Sequence, residues 1–217
     1  MNPPFTTAQF FEIMAQYNQA VWPMQVGLIL LALIAIGLVI WRRPYSGRSI
    51  SVILAGLWAW TGIAYHLIYF TTINKAAFAF GAIFLAGAGA FLWAGSIKAH
   101  LEFTSTITSR RILGIVLVAF SLVIYPALSV VLGHGYPKMP TFGLPCPTTI
   151  FTIGMLCFLA TPHPRYVLVA PILWSAVGTQ AAFLFGVYQD LTLLVAGIIG
   201  VLLIFQPKKT AAPSGHK

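Results

Sequence analysis

Long apolar blocks broken by short polar or Pro- and Gly-containing stretches dominate this chain. A window of about 20 apolar residues is the length of helix that crosses a bilayer. Seven such blocks predict crossings over residues 24–41, 50–70, 76–97, 112–133, 147–160, 166–187 and 191–205. The fifth and seventh are short for a full crossing, and the fifth is the weakest of the set.

Ahead of the first block, the stretch PPFTTAQFFEIMAQYNQAVWP predicts an amphipathic helix lying in the membrane interface over about 6–21. Thr6 and Gln9 have capping-box spacing, and Phe10, Ile13, Met14, Tyr17 and Val21 fall on one face. Trp22 and Pro23 then mark the turn into the membrane. No basic segment precedes the first crossing, so it is expected to stay as an anchor rather than leave as a signal peptide. The closing QPKKTAAPSGHK has no apolar period and is expected to form a disordered cytoplasmic tail over 206–217.

Composition turns these blocks into a fold class. Of 217 residues, 59% are hydrophobic and only 7% charged, where an ordinary soluble domain carries about a quarter charged residues. Three acids do not make a soluble surface. The expected fold is an all-α membrane protein: a single domain over 1–205 with seven transmembrane helices and the interfacial helix. The net charge of +9 does not point to nucleic acid, because the basic residues lie in short loops between apolar runs.

Those residues instead set an orientation. Arg42, Arg43, Arg48, Lys98, Arg110, Arg111, Arg165, Lys208, Lys209 and Lys217 fall in alternate loops, against Lys75 and Lys138 in the others. The positive-inside rule then gives an external N-terminus and a cytoplasmic C-terminus. A gapless match of residues 57–70 to 117–130, pairing Thr61 with Ser121 and Tyr65 with Tyr125, suggests one helix followed by three similar hairpins.

Polar residues inside the blocks carry the candidate chemistry. His66 lies within the second crossing, where an ionisable group is costly enough to suggest function. It is a candidate for solute binding, proton relay or metal ligation, against the reading that it only fixes packing between helices. In PTFGLPCPTTIF, residues 140–151, prolines and glycine restrict the loop and Pro147 suits a helix start. Cys146 stands at that start, where the helix dipole favours a thiolate, and Thr148 and Thr149 offer hydroxyls to the first turn. The bland reading of Cys146 is a small apolar residue in a corner. Asp190, just before the last apolar run, is expected to cap that helix.

Together these choices predict an external-facing pocket lined by His66, Tyr65, Tyr125, His134, Cys146, Thr148 and Thr149. His66, His134 and Cys146 are weak metal candidates, since no CxxC, HxxxH or HExxH spacing is present. Nothing in the sequence names a cofactor. A Ser-His-Asp set and paired carboxylates are also missing.

The stretches YHLIYFTTINKAAFAFG, PTFGLPCPTTIFTIG and FTTAQFFEIMAQYNQAVWP resemble a family of small bacterial multipass membrane proteins, domain of unknown function 6064, some of whose members carry the label permease. The resemblance spans about residues 5–205. It implies a bacterial inner-membrane location and brings no catalytic residue or substrate. The leading expectation is permease-like transport of a small solute or ion, working in the lipid bilayer and possible as a homo-oligomer. The alternatives are an auxiliary or scaffold subunit packing through the glycine-rich third helix, and a membrane-embedded enzyme acting on a lipid or quinone.

Overall fold

The computed structural model describes residues 4–206, and among them the fold is all-helical. Seven helical rods follow one another. α1 spans Thr7–Ile40; α2, Ser46–Trp60, continues through wide π-type turns over Thr61–Tyr69; α3, Ala77–Phe91, continues likewise through Leu92–Ile97. α4, Ser109–Ala119, passes through π-type turns at Phe120–Ile124 into α5, Tyr125–Val131. α6 is Pro145–Leu156, α7 Val169–Gly178 runs on into α8 Gln180–Phe185, and α9 is Leu191–Ile204.

Five rods are long and apolar enough to cross a membrane: Thr7–Ile40, Ser46–Thr72, Ala77–Ile97, Ser109–Val131 and Arg165–Phe185; Tyr188–Ile204 is apolar but shorter. Their outward faces carry exposed Leu30, Leu33, Ile34, Val116, Val123, Leu194 and Ile198, a surface suited to lipid and not to water. A membrane location is consistent with this surface.

After α1, helices pair most extensively within three successive hairpins: α2 with α3, α4 with α6, and α7 with α9. α6 is the axis of the bundle. Every residue from Pro147 to Leu156 is buried, among them Phe151, Ile153 and Leu156, in a core completed by Leu28, Trp58, Phe84 and Phe91. At 12 residues it is about 18 Å long, less than the 147–160 crossing expected of the sequence. Non-helical backbone at membrane depth is tolerated when protein surrounds it, and the buried stretch 142–144 that completes the crossing ahead of α6 is so surrounded.

α1 also departs from expectation. The interfacial segment and the first crossing form one helix that continues through Pro23. A proline removes one main-chain hydrogen bond, but here side chains span the gap: Gln25 Nε2 donates to Asn18 Oδ1 at 2.7 Å, joining the turns on either side. The apolar face of the first turns packs on protein, with Phe10, Ile13, Met14 and Tyr17 buried. The Thr6–Gln9 capping box is present, Gln9 N donating to Thr6 Oγ1 at 3.2 Å and Thr6 N to Gln9 Oε1 at 2.8 Å. The helix is about 51 Å long, so its first turns stand beyond a hydrocarbon layer of about 30 Å.

The loops sort to two ends. Arg42 pairs with Glu102 at 3.3 Å, Phe103 bridges Leu159, Arg110 donates to the Leu159 carbonyl and to Gln206 Oε1, and Arg165 lies beside Gln206. The basic loops after α1, α3 and α6 thus share one end. The other end holds the start of α1, the turn after α2, the 132–144 loop and the 186–190 turn. Apart from Gln206, the expected tail 206–217 lies outside the described residues.

Candidate functional site

The proline-rich loop descends into the bundle before α6 begins. Gly143, at φ +101, takes a left-handed conformation that side-chain-bearing residues avoid. A Cβ there would stand 2.5 Å from Leu28 Cδ1. Its carbonyl accepts from Thr61 Oγ1 at 3.0 Å and from Tyr17 Oη at 3.4 Å, and Trp60 Nε1 donates to that Tyr17 hydroxyl at 2.8 Å. Further out, Asn18 Nδ2 donates to the carbonyls of Pro137 and Met139 at 2.6 and 2.7 Å. The loop therefore owes its path to polar side chains of α1 and α2, and it starts α6 below the end of the bundle.

This start forms one wall of a cavity of about 340 Å³. The opening helix of each hairpin contributes another: Tyr65 and His66 from the π-type turns after α2, Tyr125 from α5, and Trp174 and Gly178 from α7. Phe70 and Phe80 extend the aromatic lining. Toward the outside, Phe185 stacks on Phe10 at 4.4 Å and on Phe5 at 5.1 Å. Beneath, Phe84 stacks on Trp58 at 4.4 Å, and Trp58 Nε1 is fixed by Thr152 Oγ1 at 2.9 Å.

The wide turns at Thr61–Tyr69 and Phe120–Ile124 place these side chains. π-type turns interrupt helices rarely and often at functional sites. The second adapts the rod to Pro126, whose ring cannot follow an undisturbed α-helix. The residues paired by the sequence match, Tyr65 and Tyr125, each stand within or just after such a turn, and both line the cavity.

The polar chemistry is concentrated in a few groups. Tyr125 Oη donates to Asp190 Oδ1 at 2.5 Å, both residues buried. The Cys146 thiol lies against the same carboxylate and the Trp174 indole. Those neighbours are not the Lys, Arg or His that activate a cysteine for nucleophilic work. His66, fully buried, has five aromatic neighbours, with Trp174 at 4.9 Å and Phe84 at 5.0 Å between ring centroids. Neither His66 ring nitrogen nor Trp174 Nε1 has a hydrogen-bond partner among the described residues.

Of the seven residues picked from the sequence, Tyr65, His66, Tyr125 and Cys146 meet at the cavity and three do not. His134 follows Gly133, whose φ of +87 turns the chain outward, and its ring stacks flat on Phe11 at 4.0 Å. Thr148 is about 200° round α6 from Cys146 and faces the core, where Thr149 is also buried. Neither threonine caps α6; Thr148 N is already satisfied by the Leu144 carbonyl. Both hydroxyls lack partners among the described residues.

No group of three or more His, Cys, Asp or Glu suited to a metal occurs among the described residues, so His66, His134 and Cys146 do not assemble as one. Both cysteines are free. The capping expected of Asp190 is not observed. Its backbone is helical, φ −70 and ψ −12, whereas a capping residue needs the extended conformation to aim its oxygen at the first amides. The residues missed by sequence reasoning are therefore Asp190 as a cavity acid, Trp174 and the ring of phenylalanines. In the order of the apolar blocks, Asp190 and the external end of the crossing that holds His66 both fall on the side away from the basic loops, and that shared side was the available signal for the first.

A family described only as a family of unknown function, DUF6064, matches residues 7–214. The chain belongs to DUF6064. No curated protein and no solved structure matches it. The DUF6064 cavity must therefore be read from its own chemistry: a mostly apolar chamber with a buried carboxylate, a thiol, an imidazole and an indole N–H at its walls.

Proposed function

We propose that this DUF6064 protein is a seven-crossing membrane protein that takes a small solute into the chamber between its three hairpins, in the manner of a permease. Pockets of this size, apolar with a few convergent polar groups, are the usual form of a small-molecule site. The observation that carries the reading is His66: a buried imidazole whose two nitrogens find no partner among the described residues is expensive and is relieved when a ligand supplies a donor or acceptor. Orientation follows from the basic loops, whose gathering at one end supports a cytoplasmic placement there. The chamber then opens near the N-terminal, periplasmic end of an inner-membrane protein.

Transport needs a second state, because the side stacked under Phe84 and Trp58 is packed. Rocking of one hairpin against the others is the movement that three-hairpin architectures allow. The test is uptake into proteoliposomes. Wild-type protein is expected to accelerate entry of at least one solute class over empty vesicles, and His66→Ala to reduce that acceleration at least tenfold. Equal entry with and without protein across amines, carboxylates, sugars and inorganic ions refutes transport.

A second reading, lateral attachment to a larger complex, draws on one feature. Ala82, Ala86 and Gly89 are exposed along α3, and a Cβ at Gly89 would meet nothing within 4 Å. Small residues of this kind let another membrane helix approach closely. A reproducible partner in native mass spectrometry of protein taken from its own membrane supports that reading over solitary transport.

A further inference from the structure

We infer that the chamber selects a small organic cation: an amine whose ammonium group is held by Asp190 and whose apolar body lies among the aromatic rings. The inference rests on the binding reading above and adds the class of ligand. It starts from charge. Asp190 is 2% exposed, and the ion pair found among the described residues joins Arg42 to Glu102 at the far end. Among the described residues, no Lys or Arg lines the chamber. The hydrogen-bond partner of the Asp190 carboxylate is the neutral Tyr125 hydroxyl at 2.5 Å, and the Cys146 thiol lies beside it at the chamber wall.

A carboxylate removed from water without a cation is poorly compensated. One neutral donor, the Tyr125 hydroxyl, satisfies part of its hydrogen-bonding capacity and leaves a charge on it unbalanced. An ammonium arriving from the chamber balances it. Such a cation also meets the right walls: Tyr65, Phe70, Phe80, Tyr125 and Trp174 present rings to the chamber, and ring faces attract ammonium groups, most strongly when both are desolvated. An anion meets the opposite, since it would have to sit beside a carboxylate with no Lys or Arg to offset it. His66, neutral among its rings, offers the amine an accepting nitrogen, which gives that orphaned imidazole a partner.

The test uses wild-type protein in nanodiscs and three one-ring probes of similar shape: benzylamine, benzyl alcohol and benzoate. Binding is followed by tryptophan fluorescence and by thermal shift. The expected result is a dissociation constant for benzylamine at least tenfold below that of benzyl alcohol, with benzoate weakest. Asp190→Asn is expected to erase the preference and keep alcohol binding. Equal binding of amine and alcohol overturns the cation assignment and leaves the chamber as a site for neutral molecules. An amine preference that survives in a folded Asp190→Asn protein overturns the role of Asp190. Failure of all three probes to bind removes the binding reading itself, and this inference with it.

Discussion

Tyr125 and Asp190 lie 65 residues apart in the chain, yet the phenol of one donates to the carboxylate of the other at 2.5 Å inside the bundle. The contact ties the second hairpin to the turn before α9. Removing the hydroxyl leaves a buried carboxylate short of a donor, which costs about 1–3 kcal/mol. Tyr125→Phe is therefore expected to lower the midpoint of thermal unfolding in detergent. An unchanged midpoint would show that the pair carries no stability.

Asn18 is the peg that holds the descending loop. It is fully buried and joins Pro137, Met139, Gln25 and Thr141 through 2.6–2.8 Å hydrogen bonds. Asn18→Leu strands two loop carbonyls and takes the acceptor from the Thr141 hydroxyl, while Gln25 Nε2 keeps Thr141 Oγ1 at 2.9 Å, so a loss of several kcal/mol is expected, at about 1–3 kcal/mol per stranded group. Hydrogen exchange should rise over 137–144 before it rises in α9. Uniform exchange along the chain would contradict a local role.

The α4–α6 crossing tests the packing of the central helix. A Cβ on Gly154 would lie 2.9 Å from Val118 Cγ2 and 3.0 Å from the Gly114 carbonyl oxygen. Gly154→Ala is expected to destabilise by about 1–3 kcal/mol, the range for overpacking a tight core. Gly89→Ala, facing open space on the same protein, is expected to be neutral or to stabilise by about 0.4–1 kcal/mol. Thermal melts of the two variants side by side decide it, and a reversed order refutes the arrangement of these helices.

Much of this molecule was legible in its apolar blocks. The Thr6–Gln9 cap, the gathering of basic loops and the hairpin order all follow from patterns of short range or fixed period. What escaped depends on depth and rotation. α6 is apolar in the same way as a lipid-facing helix, so its full burial is invisible to hydropathy. Pro23 signalled a break, yet α1 runs on through it, with the Gln25–Asn18 bond joining the turns on either side. Cys146, Thr148 and Thr149 looked like one polar patch, yet helical rotation sends only the first to the chamber. Asp190 sits where caps sit; its backbone conformation, which sequence does not display, turned it to Tyr125.

The central claim is that the chamber between the hairpins receives small molecules. The most direct measurement is a crystal structure of the protein soaked in 4-bromobenzylamine or 4-bromobenzyl alcohol, with bromine located by anomalous scattering. The account predicts a peak among Tyr65, Phe80 and Trp174 with at least one of the two compounds. Strong bromine peaks confined to the lipid-facing surface in both crystals, with the chamber closed over by Phe70 and Trp174, would contradict it.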